Sequence, residues 1–213
     1  MAGKIITIAQ QKGGSGKTTL AAHLAVAWSR KPGMRVAILD IDPQGSLGEW
    51  FEAREERLGE EAGNISFRTA SGWGSRREAR SLARDHDFVI VDTPPKSDRD
   101  GRPAMEAADL VAIPVQPSPV DLWATEPTVE MAVAEGALAI LVLNRVPPRA
   151  RVTKEMADAM TEFGAKSAKA RLGNRVAFAA SMGQGSTVLE TRLSAKAADE
   201  VEALAKELLK QMK

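Results

Sequence analysis

The order strand, glycine-rich turn, helix at the start of the chain leaves it few folds. Residues 4–10, KIITIAQ, are a short β-branched apolar run, and a helical pattern extends from Thr18 to Arg30. Between them lies QKGGSGK (11–17). A buried strand feeding directly into a helix is the first half of a βαβ crossover, so the next strand is expected to lie parallel to it. Three glycines, Gly13, Gly14 and Gly16, let the backbone fold tightly with its N–H groups turned inward, which suits an anion. The helix N-terminus adds partial positive charge. The phosphate-loop pattern G-x-x-x-x-G-K-[ST] fits at Gly16-Lys17-Thr18, but its first glycine is Gln11 here, and a second lysine, Lys12, precedes Lys17 by five residues.

Further apolar runs recur at domain-like intervals: RVAILDID (35–42), DFVIVDT (87–93), DLVAIPVQ (109–116) and LAILVLNR (138–145). They do not alternate, as strands buried on both faces do not. NISFRT (64–69) and RVAFAA (175–180) are weaker strand candidates. Helical patterns fall between them at Ser75 to Arg84, Asp121 to Glu135 and Lys154 to Phe163. The alternation predicts an α/β fold, doubly wound, with a mostly parallel sheet and helices on both faces. No repeat or linker divides the chain, so one domain is expected over residues 1–213. The last segment, 194–213, places Ala197, Ala198, Val201, Leu204, Ala205, Leu208 and Met212 on one helical face, which predicts docking on the sheet rather than on a membrane.

Composition removes several chemistries. With no cysteine there is no disulfide, iron–sulfur cluster, thiolate zinc site or cysteine nucleophile. Two histidines far apart, His23 and His86, argue against a histidine-based metal site. No secretory signal or membrane-length apolar stretch is read, so a cytoplasmic location is expected. The net charge is only +1, but residues 145–213 hold 13 Lys and Arg against 8 Asp and Glu. A basic C-terminal third suits a polyanionic partner or a solvated face alike.

Carboxylates end two of the strands. AILDIDPQGS supplies Asp40 and Asp42, and FVIVDTPP supplies Asp92. An acid at the carboxyl end of a buried strand, beside a phosphate loop, suits a metal-linked role. Asp92, the Thr18 hydroxyl and Asp42 are the expected Mg²⁺ site, with Asp42 also placed to orient an attacking water. Lys17 is expected to reach the β- and γ-phosphates.

KGGSGKTT, DIDPQGS and VIVDTPP together resemble the deviant Walker A ATPases of the ParA/MinD group, and the order and spacing match along the whole chain, most like small ParA proteins. IPVQPSPVDLWA (113–124) is also similar to the segment after the switch in that group. The resemblance implies ATP and Mg²⁺ as cofactors, held by Lys12, Gly13, Gly14, Ser15, Gly16, Lys17, Thr18 and Thr19, and a hydrolase that is weak without a stimulating partner. It implies a homodimer closed face to face on ATP, Lys12 serving the partner's phosphates, and Asp42 catalytic with Lys12 and Lys17. A Lys12 acting only within its own subunit is the local alternative. Asn144, at the end of a strand, implies an adenine contact, or alternatively a cap on the following loop. The group also implies nonspecific DNA binding in the ATP state, hence nucleoid association, with release by a ParB-like or other cargo adaptor. Arg192 and Lys196, then Lys169 and Arg171, are the DNA-binding candidates, within a basic stretch that includes Arg145, Arg149, Arg151, Lys166 and Arg175. A membrane-cycling MinD-like ATPase and a dethiobiotin-synthetase-like ligase are the competing relatives.

Overall fold

Seven strands form one sheet in the order β3-β2-β4-β1-β5-β6-β7, and every neighbouring pair is parallel. They are β1 (Lys4–Ile8), β2 (Val36–Asp40), β3 (Ile65–Thr69), β4 (Phe88–Asp92), β5 (Leu110–Val115), β6 (Leu138–Leu143) and the short β7 (Lys166–Ser167). The computed structural model describes residues 2–59, 62, 65–95, 98–148, 159 and 165–212. Every residue of β2, β4 and β5 is buried, which is why these strands read as unbroken apolar runs. The doubly wound parallel architecture is the expected one.

Helices cover both faces: α1 (Lys17–Ser29), α2 (Ser46–Leu58), α3 (Ser75–Asp85), α4 (Asp98–Ala107), α5 (Pro119–Trp123), α6 (Glu126–Ala134), α7 (Val176–Met182) and α8 (Ala195–Gln211). A 3-10 turn at Gly72–Gly74 leads into α3. On one face α1 is buried nearly all round, with Leu20, Leu24, Val26 and Trp28 in a core shared with Ile6, Ile8, Ile38 and Ile90. Trp28 stacks on Phe88 with ring centroids 4.8 Å apart. On the other face α3 and α4 cover Ala37, Leu39, Val89 and Val91 through Ala79, Leu82, Ala83 and Ala104.

Helix α8 buries Ala197, Val201, Leu204, Ala205 and Leu208, with Ala198 and Met212 partly covered. It packs on α1 rather than directly on the sheet: the Trp28 indole N–H donates to the Ala205 carbonyl at 3.3 Å. The apolar stripe thus serves as core. No helix among the described residues is long and apolar enough to cross a membrane.

Three expectations need correction. RVAFAA is not a strand: Val176–Met182 is helical, because its alanines favour a helix and Val176 stands 84% exposed. The single helix expected over 121–135 is two, α5 and α6, since Pro127 lacks an N–H and starts a new helix at the Thr125 corner. The expected helices omit 46–58, yet α2 forms there, with Leu47, Trp50, Phe51 and Arg54 buried at i, i+3, i+4 and i+7. The pattern at 154–163 lies outside the described residues except for Ala159, as do Arg149 and Arg151.

Helix α2 is tied to the turn before α8. The Trp50 indole N–H donates to the Ser186 carbonyl at 3.0 Å, and Arg54 grips Glu190 with two bonds of 2.9 and 2.7 Å. Gly185, at φ 58°, brings backbone against backbone there, since a Cβ would lie 2.3 Å from the Arg54 nitrogen. Burial alone would raise the Glu190 carboxyl, but the Arg54 hydrogen bond, with the charges of Arg54 and Arg57, holds it below its ordinary value.

Candidate functional site

The sheet order puts the carboxyl end of β1 between those of β4 and β5, so the loop after β1 lies over a crevice at the strand ends. In register, Ile8 on β1 lies beside Asp92 on β4, and Asp40 on β2 lies beside the same Asp92. The loop then turns through Gly14 (φ 73°) and Gly16 (φ 94°), a conformation that L side chains rarely adopt. A Cβ on Gly16 would come 2.4 Å from the Asn144 side-chain nitrogen, so glycine is required there twice over.

Helix α1 begins at Lys17 with no side-chain cap and no acidic residue in its first turn. Its leading N–H groups are open to the loop interior, ready for an anion. Lys17 is buried beneath the loop. Burial draws its ammonium below the ordinary lysine value, against the opposing pull of Asp92 and Asp42.

The Thr18 hydroxyl donates to Asp92 Oδ2 at 2.7 Å, and the other carboxyl oxygen, Oδ1, is buried with no protein partner. Burial pushes the Asp92 carboxyl up to about 7, although the Thr18 bond and Lys17 oppose this. Asp40 is raised for the same first reason, burial, and its Oδ2 also lacks a partner. Its Oδ1 accepts from the Asp42 N–H at 2.9 Å, which shapes the DPQG turn. Asp42 is half-buried and accepts from the Gln44 N–H through one oxygen, Oδ1.

These orphaned oxygens, with the buried Ser15 hydroxyl that also lacks a partner, suit a magnesium-bound polyphosphate. Among the described residues no group of three His, Asp or Glu side chains closes on a metal. Few protein ligands with open positions left for water and phosphate oxygens is how Mg²⁺ is usually bound. The residues therefore fit the group.

Lys12 does not point beneath the loop. Its Nζ lies 2.8 Å from Asp121 Oδ2 on α5, and its side chain is 37% exposed against 7% for Asp121. The Ser118 hydroxyl donates to the same carboxylate oxygen. The segment after β5 holds the loop at two further points: Gln116 donates to the Gly14 carbonyl at 3.0 Å, and the Gln10 amide donates to Thr125 Oγ1 at 2.9 Å. The sequence marks the segment 113–124 only by its resemblance and assigns none of these contacts, because they depend on β5 lying next to β1.

Asn144 sits where β6 ends and holds the loop as well. Its Nδ2 donates to the Ser15 carbonyl at 2.7 Å, and its Oδ1 accepts from the Arg145 N–H at 2.9 Å. Its amide is thus engaged by the protein, and the residue positions the loop while lining a cavity of about 250 Å³. Gly16, Thr19, Asn174, Arg175 and Phe178 line the same cavity. Next to a phosphate loop, such a cavity offers space for a base and sugar. Asn174 and Phe178 carry no signal for this role in the sequence, where 175–180 reads as a strand, and Arg175 stands out there only as part of the basic stretch.

Of the DNA-binding candidates, Arg171 and Lys196 share a groove of about 450 Å³ with Arg175. Arg175 is clamped by Glu200, with bonds of 3.2 and 2.6 Å, and lines both the groove and the cavity beside the loop. Arg192 and Lys169 are exposed but do not line the groove.

Residues 6–188 match the family described as the CobQ/CobB/MinD/ParA nucleotide binding domain. Over 211 residues, 96% of this chain and 95% of the relative, the sequence is 28% identical to the maintenance of carboxysome distribution protein A of Halothiobacillus neapolitanus. The protein of the same name from Gloeobacter kilaueensis is 36% identical over 149 residues, 68% of this chain and 65% of that one. In fold the chain matches a Cyanothece McdA–ATP complex, with a TM-score of 0.80 at 17% identity over 98% and 97% of the two chains. It also matches the cell division ATPase MinD of Pyrococcus furiosus, with a TM-score of 0.79 at 22% identity over 98% and 99%.

Proposed function

The chain belongs to the CobQ/CobB/MinD/ParA nucleotide-binding family, and from that premise we propose that it is a ParA-type ATPase that positions a cargo by cycling on and off nonspecific DNA. The observation that carries this reading is the division of labour between two lysines. Lys17 is buried under the loop, while Lys12 stands at its mouth on a single ion pair. A compact ammonium on a flexible stem at that position suits a phosphate on a facing subunit.

In this reading the α1 N-terminus, Lys17 and the loop N–H groups hold the β- and γ-phosphates. Thr18 and Asp92 hold Mg²⁺, with Asp42 close by. The metal, when bound, neutralises phosphate charge. Asp42 keeps one carboxyl oxygen for its own turn and has the other for orienting water in line with the γ-phosphate. Gly16, Asn144, Asn174 and Phe178 surround the nucleoside. Two subunits close over ATP, each Lys12 crossing to the other's phosphates, and a cargo adaptor stimulates hydrolysis and release.

The groove of Arg171, Arg175 and Lys196 supports DNA contact by phosphate charge alone, as nonspecific binding requires. The match along nearly the whole chain to a protein named for carboxysome distribution favours a large protein assembly as the cargo. DNA co-sedimentation with ATP, ADP and no nucleotide tests the proposal. Duplex DNA retained far more strongly with ATP than with ADP or no nucleotide, and released by 0.5 M salt, is the expected result. Binding indifferent to both, or binding of liposomes in place of DNA, would replace this function with another.

A further inference from the structure

A second cationic surface lies far in sequence from the C-terminal groove. Helix α3 reads SRREARSLARD, with four arginines, Arg76, Arg77, Arg80 and Arg84, and no lysine. All four are exposed. At 3.6 residues per turn they fall within a sector of about 100° on the helix. Ala79, Leu82 and Ala83 on the adjoining face are buried in the core, so this orientation cannot rotate away. Glu78 and Asp85 project to the flank, away from the arginine sector. Arg76 is paired with Glu106 of α4, whereas Arg77, Arg80 and Arg84 have no ion-pair partner among the described residues.

One helical turn ahead of Arg76 and Arg77 stands Trp73, in the 3-10 turn that leads into α3. It is 83% exposed, the most exposed of the chain's large aromatic side chains for which exposure is described. An indole so placed keeps both ring faces in water and free for a partner to cover. Trp28 and Trp50, by contrast, are buried and each donates its N–H to a backbone carbonyl.

We propose that the arginine face of α3 and Trp73 form a nucleic-acid-binding surface, with strand phosphates on Arg77, Arg80 and Arg84 and a base or sugar against the indole. Charge complementarity selects a polyanion. The exclusive use of arginine favours phosphate, which its planar fork grips with two bonds. An acidic protein partner fits less well, because beside the arginines α3 exposes Ser81 and no aliphatic side chain, so a protein interface would lack an apolar centre. A membrane fits less well still. The apolar side of α3 is already in the core, which leaves one tryptophan to enter the lipid. Interfaces with nucleic acid are polar, basic and tolerant of this composition, and exposed aromatics there stack on bases.

The surface is separate from the groove of Arg171 and Lys196 and does not depend on the ATPase reading. Its test uses the full chain without nucleotide, with fluorescently labelled single-stranded and duplex oligonucleotides of equal length, titrated at several salt concentrations. Replacing Arg77, Arg80 and Arg84 together by glutamine should lower the slope of log affinity against log salt by about 2 on the single strand. Trp73→Ala should weaken single-strand binding by roughly 5- to 150-fold with the salt slope kept, and Trp73→Phe should restore most of it. Duplex binding should depend on the arginines and much less on Trp73. Because all these side chains are exposed, the melting temperature should not move.

Nucleotide-free binding untouched by these variants but abolished by Arg171→Gln with Lys196→Gln overturns the surface and leaves the ATPase proposal standing. Equal displacement of the oligonucleotide by polyglutamate at matched charge overturns it in favour of an acidic protein. Retention on anionic phosphatidylserine vesicles without oligonucleotide binding overturns it in favour of a membrane.

Discussion

If Lys12 is to serve a facing subunit, it must first leave Asp121, and that competition can be measured. The pair is 2.8 Å apart, with Asp121 almost fully buried and Lys12 a little more than one-third exposed. When Lys12 departs, the Asp121 carboxylate keeps only the Ser118 hydroxyl from its present side-chain partners. A fully exposed pair is worth about 0.2–1 kcal/mol, and breaking a buried one costs about 3–5 kcal/mol. Solvent around the lysine places this pair near the lower range, at about 1 kcal/mol per subunit. A symmetric dimer breaks two such pairs, so the contact opposes dimerisation by about 2 kcal/mol, roughly 30-fold in the dissociation constant. Asp121→Asn removes the charge and keeps an acceptor for Ser118. The variant should therefore dimerise roughly 10- to 100-fold more tightly with ATP and Mg²⁺, read by sedimentation velocity over a concentration series. Lys12→Ala, carried beside it, should bind ATP and fail to dimerise. An Asp121→Asn dimer no tighter than wild type would refute the reasoning, since Asp121 would then belong to the closed state instead of competing with it.

Gly16→Ala places a Cβ at φ 94° and 2.4 Å from Asn144 Nδ2. The backbone cost of about 1–2 kcal/mol and the lost Asn144–Ser15 bond of about 1 kcal/mol should weaken ATP binding roughly 30- to 150-fold by calorimetry; binding within threefold of wild type would mean that the loop tolerates a side chain there. His23 is buried, its ring donating through Nδ1 to the Thr19 carbonyl and accepting the Val188 N–H at Nε2, and burial lowers its pKa from 6.5 to about 4. Its folded pKa lies below its unfolded one, so its stability contribution is whole above pH 6.5 and is lost as pH falls toward 4, amounting to about 3 kcal/mol. Denaturant melts of wild type and His23→Gln should converge over that window, and a difference independent of pH would contradict the assignment. Gly185→Ala should unfold or severely destabilise the chain, since its Cβ would meet the Arg54 backbone at 2.3 Å, and a melting temperature within a few degrees of wild type would show that the clasp can open.

Much of the scaffold is visible in local sequence because a parallel strand buried on both faces needs no context to look like one. VAILD, FVIVD and LVAIPV each read as one unbroken apolar run, and each is fully buried. The aspartates that end two of them are legible for the same reason: an acid closing such a run has to lie at the carboxyl end of the sheet, and Asp40 and Asp92 prove to be register neighbours. What local pattern could not supply is which strand ends become neighbours. Gln116, Asp121 and Asn144 are ordinary polar residues in sequence, and they hold the loop only because β5 and β6 follow β1 across the sheet. The strand expected at 175–180 fails for a different reason. Arg175 is extended, as a strand residue would be, and the helix starts one residue later. Val and Phe then suggest a strand, while three alanines and the glycines at 183 and 185 argue for a short helix and its end.

That short helix also links the nucleotide cavity to the basic groove. Arg175 immediately precedes α7 and borders both spaces, and Glu200 on α8 holds it through two bonds while also accepting the Gly173 N–H at 3.0 Å. A nucleoside entering beside Phe178 would press on a wall that the groove shares. Changing Glu200 therefore tests whether the two sites are mechanically joined. Glu200→Gln keeps the bond geometry but removes the charge that holds Arg175, and Arg175→Lys keeps a charge that cannot form the fork. If the wall transmits the nucleotide state, both variants should reduce the ratio of DNA affinity with ATP to that with ADP, by about fivefold or more for a coupling on the order of 1 kcal/mol, with ATP affinity itself changed less. A ratio preserved in both variants, with DNA affinity lowered equally in the two nucleotide states, would assign Arg175 to the groove alone and leave dimerisation as the sole source of gating.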